Sequence, residues 1–247
     1  MQTSKYLKSP IVEVVCEFRF NPNKEWDFTY PGLLYERLKI DFPRKQAMKQ
    51  IGISTLPDTK EPTIQQEITE RIQFFREDNS ALVQIAPSFL SVNHLSPYPT
   101  WKKFLPMVLE NFKRYKEVTN PQLINRIGLR YINEIEIPIE GSLKMEDFFE
   151  FYPHLGKGLP QEHGPFMTGV HFFYESQRDT LRLQIALTNA KKPKTAAFIL
   201  DLDYFLAEPT KVSMDIDKVT AWLVTAHDRV EQIFEASITD KARKLFN

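Results

Sequence analysis

The chain has 247 residues, and its 32 Lys+Arg are matched by 32 Asp+Glu, so the formal net charge is zero. That balance excludes a protein whose whole surface is built to hold nucleic acid, and 42 % hydrophobic with 26 % charged residues excludes a disordered chain. No run of about 18 apolar residues offers a membrane-spanning helix, and the single cysteine, Cys16, leaves no partner for an intrachain disulfide or a thiolate zinc cluster.

Met1 to Pro10 is polar and shows no signal-peptide core, so a cytoplasmic protein is expected. Aromatic residues reach 13 %, enough for a sizeable core. Glycine is scarce at 8 and proline plentiful at 17, which argues against glycine-dependent phosphate-binding turns.

In chain order, Ile11 to Phe20 alternates as a strand. Val12, Val14, Cys16, Phe18 and Phe20 share one face, and Glu13, Val15, Glu17 and Arg19 the other. A helix is predicted from about Pro31, with Leu33, Leu34 and Leu38 inward, stopping before Pro43. Residues 44–63 lack clear periodicity and read as a loop with one short strand. Ile64 to Arg76 and Ala81 to His94 read as the two arms of a hairpin. After Pro97 and Pro99, Thr100 is placed to cap a helix carrying Trp101, Phe104, Leu105, Val108, Phe112 and Tyr115 on one face. Pro106 either bends that helix or marks its start.

Asn125 to Ile137 is the second clear strand. Ile127, Leu129, Tyr131, Asn133, Ile135 and Ile137 share a face, opposite Arg126, Arg130 and Glu134. A short helix is expected over Leu143 to Tyr152, then a loop, a hairpin over Phe166 to Glu175 and Thr180 to Thr188, and a strand over Ala196 to Asp203. A long helix from about Asp215 to Glu235 packs on Ile216, Val219, Leu223, Val230 and Phe234, and a short one follows over Asp240 to Phe246.

Phe74-Phe75-Arg76-Glu77 followed by Leu82-Val83-Gln84-Ile85-Ala86 is echoed by Phe172-Phe173-Tyr174-Glu175 followed by Leu181-Arg182-Leu183-Gln184-Ile185-Ala186. Around each copy the order of elements repeats: strand, helix, hairpin, long helix. The expected fold class is therefore α+β, a mostly antiparallel sheet with helices packed on one face. The expectation is one domain over 1–247, built from pseudo-symmetric halves at about 9–120 and 121–247 that form one sheet or two facing sheets.

Several blocks recur together: Ser9 to Phe20, Leu90-Ser91-Val92-Asn93 with Tyr98 and Trp101, Asn125-Arg126-Ile127-Gly128-Leu129-Arg130-Tyr131-Ile132-Asn133, Asp201-Leu202-Asp203-Tyr204-Phe205, and the closing helix with His227. The set resembles a sporadically distributed family of bacterial proteins defined by sequence, with no assigned activity. The resemblance covers nearly the whole chain, and the Arg-Ile-Gly-Leu-Arg-Tyr block is its most specific part. It implies a bacterial cytosolic protein, and its scattered distribution points toward a defence or toxin–antitoxin locus. It carries over no catalytic residues.

The charges on the polar strand faces are the main functional lead. Glu13, Glu17 and Arg19 on one strand, Arg126 and Arg130 on another, and Asp201 and Asp203 on a third are the candidate ligand-binding residues. Gln84, Arg182 and Gln184 belong to the same class. Arginines and carboxylates on one face suit a phosphorylated ligand; they equally suit cross-strand ion pairs on a solvated face. Gly128, between the two arginines, would leave room for a ligand or a backbone. Asp201 and Asp203 are spaced to hold Mg²⁺ or Mn²⁺ or to pair with Arg126 and Arg130. His227 reads as a hydrogen-bonded, half-buried side chain, His154 and His163 lack a third metal ligand, and Cys16 reads as a core thiol. Lys191, Lys192 and Lys194 form a basic turn. No nucleotide-binding, serine-hydrolase or zinc-protease motif is present.

The expected function is a non-enzymatic cytosolic binding protein for a small anionic ligand or a protein partner, with no cofactor, no resident metal and no nucleic-acid or membrane partner. The alternative is a metal-dependent phosphohydrolase or nucleotide-processing enzyme using the same polar face.

Overall fold

The computed structural model describes residues 6–21, 26–55, 64–139, 141, 143–160, 164–206 and 213–247. The strands are β1 (Ile11–Phe20), β2 (Arg44–Thr55), β3 (Ile64–Phe75), β4 (Ala81–Ala86), β5 (Phe89–Leu95), β6 (Ile124–Pro138), β7 (Met167–Tyr174), β8 (Asp179–Thr188) and β9 (Thr195–Leu206). The helices are α1 (Tyr30–Leu38), α2 (Trp101–Thr119), α3 (Ile216–Ser237) and α4 (Asp240–Arg243). All described strands join one open nine-stranded sheet in the order β2-β3-β4-β5-β1-β6-β9-β8-β7, every neighbouring pair antiparallel. The fold is α+β.

Strand alternation gives the sheet two unlike sides. On one, pairing lines up Phe74, Val83, Val92, Cys16, Leu129, Tyr204 and Leu181 in a single row, and all seven are buried. Aromatic residues of the helices meet this side. Phe112 of α2 lies 4.8 Å from Phe18, and Tyr115 stacks on Phe20 at 4.9 Å. Trp222 of α3 is 5.5 Å from Tyr204, and Tyr35 of α1 is 5.9 Å from Phe74. Of the core positions expected on the marker strands and helices, Val14, Phe18, Leu129, Tyr131, Phe104, Val108, Leu223 and Val230 are buried, while Val12 is only half-buried.

Several expectations are corrected. The loop expected over 44–63 is strand β2 as far as Thr55, paired with β3 along its whole length; the remainder of that stretch, 56–63, lies outside the described residues. The arm expected over Ala81 to His94 is two strands, since Pro87 and Ser88, the latter with φ of 56°, turn the chain back and pair Ala86 with Phe89. The helix expected over Leu143 to Tyr152 is a 3₁₀ turn at Met145–Asp147 and a bridge from Phe149 to Ile238. α2 begins ahead of Pro106, which is exposed on its outer side, and Thr100 stands at its N-cap without a side-chain capping bond. Leu33 and Ile216, expected inward, are 51 % and 41 % exposed. α3 starts where Asp215 accepts from the amides of Asp217 and Lys218.

Candidate functional site

The other side of the sheet carries a continuous polar network. Its centre is the seam between β1 and β6, where Glu17 pairs with Gly128 and Arg19 with Arg126. Glu17 accepts from Arg19 Nε and from Arg126 Nη1, both at 2.8 Å. The Arg126 guanidinium lies 4.8 Å over the Phe205 ring and reaches Asp203 with Nη2 at 3.4 Å. Gly128 makes this possible, because a Cβ there would stand 2.9 Å from Arg126 Nη1. The glycine makes room for the arginine's own head group rather than for a separate ligand or another backbone.

Arg71 of β3, whose role alternation alone did not bring out, joins the same end of the network. Its guanidinium lies 4.1 Å over Phe89, and Phe89 is paired with Arg19. Burial lowers the Arg71 pKa; the charge of Glu17 opposes that shift and the charge of Arg19 adds to it. Its Nε is buried without an acceptor. Three guanidinium groups therefore gather around the single carboxylate of Glu17.

Across the seam the acids are more deeply set. Pairing lines up Arg130, Asp203 and Arg182 on adjacent strands, with Asp201 one step along β9. Arg130 grips Asp201 with two bonds of 2.7 Å from Nε and Nη2, a bidentate geometry. Arg182 Nη2 lies 3.7 Å from Asp201 and 3.5 Å from Asp203, while its Nε is buried without an acceptor. Burial raises the Asp203 carboxyl above the usual range, and Arg126, Arg182 and Arg130 only partly offset it. The hydrogen bond to Asp201 is the main reason the Arg130 pKa is raised.

Glu13 sits apart from these arginine contacts and accepts from Asn93 Nδ2 at 2.7 Å. That bond ends a relay of amides running from Gln46 to Gln73, Gln84 and Asn93, with Ser91 donating to the same Asn93 oxygen. Gln73, Ser91 and Asn93 are buried, so the relay satisfies groups that would otherwise be costly to desolvate. The basic turn is also engaged: Lys191 pairs with Glu134, and Lys192 with Glu136 at 2.6 Å.

Together the face holds Arg19, Arg71, Arg126, Arg130 and Arg182 beside Glu13, Glu17, Asp201 and Asp203, while Glu134 and Glu136 farther along β6 are taken by Lys191 and Lys192. Asp179 lies off this face, fully buried, accepting from Arg178 at 2.9 and 2.7 Å and from the Tyr204 hydroxyl at 3.1 Å. Its position at the end of a turn gave no sign of this role. Among the described residues no group of three or more His, Cys, Asp or Glu is arranged to hold a metal. His154 is exposed, and His163 lies outside the described residues. Cys16 is buried, and burial pushes its thiol up.

His227 occupies a separate cluster between α2, α3 and β6. Its ring stacks on Trp101 at 4.3 Å, and Nδ1 is 3.1 Å from the Tyr131 hydroxyl, which in turn is 3.0 Å from that of Tyr98. Burial pushes the imidazole down to about 4, with Asp228 opposing weakly, and Glu231 stands 4.0 Å from Nε2. The folded pKa thus lies below the unfolded one, so the unfolded chain binds the extra proton. This contribution to stability is present above about pH 6.5 and is lost as pH falls through about 4. Melting temperatures measured at about pH 7 and about pH 4.5 should differ less in His227→Gln than in the wild type; an equal drop in both would contradict the assignment.

No helix among the described residues is long and apolar enough to cross a membrane. Compared with known proteins, the chain matches no family model and no curated protein.

Proposed function

We propose that this is a cytosolic binding protein whose polar sheet face, centred on the β1–β6 seam, recognises a small anion. The observation that carries the reading is the pair of buried, unpartnered guanidinium Nε groups of Arg71 and Arg182 on this face. A buried donor left without an acceptor costs about 1–3 kcal/mol or more. An oxyanion beside either arginine would satisfy that donor with a charge-assisted bond; the two stand on β3 and β8, on opposite sides of the seam, and so mark two anion positions rather than one. In the same reading the helices cover the apolar side and leave the polar side free for the ligand.

The proposal includes internal duplication. From the seam outward the strands run β1, β5, β4, β3, β2 on one side and β6, β9, β8, β7 on the other, β2 having no counterpart. The repeated Phe-Phe segments fall at the ends of β3 and β7, and the segments that follow them fall on β4 and β8. α2 and α3 follow β5 and β9 in the same way. A ligand on the seam would then lie where the two halves meet. Membership in the sporadic bacterial family, and a role in a defence or toxin–antitoxin locus, rest on the resemblance of the quoted blocks.

The rival enzyme reading is less well supported, because the Asp201 and Asp203 carboxylates are already engaged by Arg126, Arg130 and Arg182. Thermal shift with inorganic phosphate, pyrophosphate and nucleoside triphosphates, with and without Mg²⁺, tests both. Binding at about 100 times Kd should stabilise the chain by roughly 2.7 kcal/mol, and the shift should vanish in the double variant Arg71→Gln with Arg182→Gln. No shift with any of these anions overturns the small-anion reading. Mg²⁺-dependent hydrolysis abolished by Asp201→Asn with Asp203→Asn would establish the enzyme instead.

A further inference from the structure

Both outer strands of an open sheet present a row of unpaired backbone donors and acceptors, and folded proteins usually protect such edges with charge, proline or bulges. The two edges of this sheet differ. β2 carries Arg44, Lys45 and Lys49. β7 reads Met-Thr-Gly-Val-His-Phe-Phe-Tyr, with no acidic residue, no lysine or arginine and no proline. It pairs with β8 without a register break, and among the described residues nothing pairs with its outer side. Its apolar side chains are open: Met167 is 70 %, Phe173 62 % and Phe172 36 % exposed.

The pattern of β7 is self-complementary. In an antiparallel pair, residues directly opposite lie on the same face. If two copies meet about a two-fold axis perpendicular to the sheet at Val170, the sums of paired residue numbers keep faces matched. Met167 then faces Phe173 of the other copy, Thr168 faces Phe172, and Gly169 faces His171. Met167 and Phe173 both belong to the polar side of the sheet, as their pairing with Ala186 and Thr180 shows, while Phe172 and Thr168 belong to the apolar side. The register therefore covers the two most exposed apolar side chains of the edge by setting sulfur against ring, twice, by symmetry. The formal net charge of zero lets two copies approach without mutual repulsion.

We propose that this chain forms a symmetric dimer through β7, joining two nine-stranded sheets edge to edge about a two-fold axis at Val170. The interface lies apart from the seam, with β8 and β9 standing between β7 and β6.

The test is light scattering on the full chain, from about 1 to 100 µM, with two further arms. Wild type should be dimeric in the upper part of that range, and the double variant Met167→Lys with Phe173→Lys monomeric with an unchanged circular-dichroism spectrum. Val170→Cys should form a disulfide-linked dimer under mild oxidation. Opposed Cα atoms in an antiparallel pair are about 4.5–5.5 Å apart, within the roughly 4.4–6.8 Å that a disulfide spans, and the native Cys16 is buried and does not compete. His171→Cys, which faces Gly169, should cross-link far more slowly. A monomeric wild type at 100 µM overturns the proposal. So does a dimer that survives the lysine variant, and so does a dimer in which Val170→Cys fails to cross-link or cross-links no faster than His171→Cys. The cross-linking arm needs no lysine variant to fold.

Discussion

Phe18→Ala should lower the stability of the protein by about 3–5 kcal/mol, among the largest losses any single substitution can cause here. Phe18 is fully buried at the centre of the sheet, between its neighbour Phe20 at 6.2 Å and Phe112 of α2 at 4.8 Å. Strands β5 and β6 flank it, through Leu90 and Ile127, both buried. A strand hydrogen-bonded on both sides and covered by a helix can close little of the cavity left by the ring. The loss reads as a lower midpoint in urea unfolding with an unchanged slope. A shift under about 1 kcal/mol would mean that α2 does not pack on β1 as described.

Arg130→Met should cost roughly 3 kcal/mol, and adding Asp201→Leu should recover most of it. The asymmetry follows from burial. Asp201 is 9 % exposed at its side chain and takes both bonds of its bidentate partner from Arg130. Removing the arginine leaves a desolvated carboxylate, while replacing both partners by apolar groups removes the charge that needed compensation. Arg182 remains 3.7 Å away and the Arg130 side chain is itself 42 % exposed, which keeps the single-variant loss at or below the lower end of the usual range for a broken buried pair. Urea unfolding of the wild type, the two single variants and the double variant gives the coupling energy directly. If the double variant is no more stable than Arg130→Met, the pair is held by something other than mutual neutralisation.

The legible parts of the sequence are those in which local pattern and final environment agree. β1, β6 and β9 are central strands with one buried face, so their apolar residues alternate, and the same alternation places Glu17, Arg126, Arg130, Asp201 and Asp203 together. β2 left no such trace. β4 covers only residues 72–75 of β3, so β2 and the rest of β3 form a ribbon with no third strand beside it. Arg44 to Lys49 of β2 are all exposed, and a stretch without a buried side has no reason to alternate. Pro87 and Ser88 were hidden by the continuous burial of β4 and β5, which reads as one long apolar arm. Arg71 lay in a recognised strand, but its place beside Glu17 depends on β5 entering between β4 and β1, a non-local pairing that strand periodicity does not encode. Gly128 is expected to leave room for a ligand or a backbone, whereas what approaches it is the Arg126 side chain two residues earlier on the same strand.

The seam at the centre of the sheet also sets an order of events. β1 spans residues 11–20 and β6 residues 124–138, so the two strands that pair at the middle of the sheet are separated by more than a hundred residues of chain. During synthesis β1 can dock on β5 long before β6 exists, and until then its other side is an open edge in the middle of the future core. Such an edge invites pairing with neighbouring nascent chains. On that waiting edge Glu13, Glu17 and Arg19 place charged side chains on alternate residues, the kind of feature that discourages edge-to-edge pairing. Closure of the seam is then a late, long-range step, and substitutions that neutralise β1 should show themselves as insoluble protein in the cell before they show themselves as a weaker fold in the test tube.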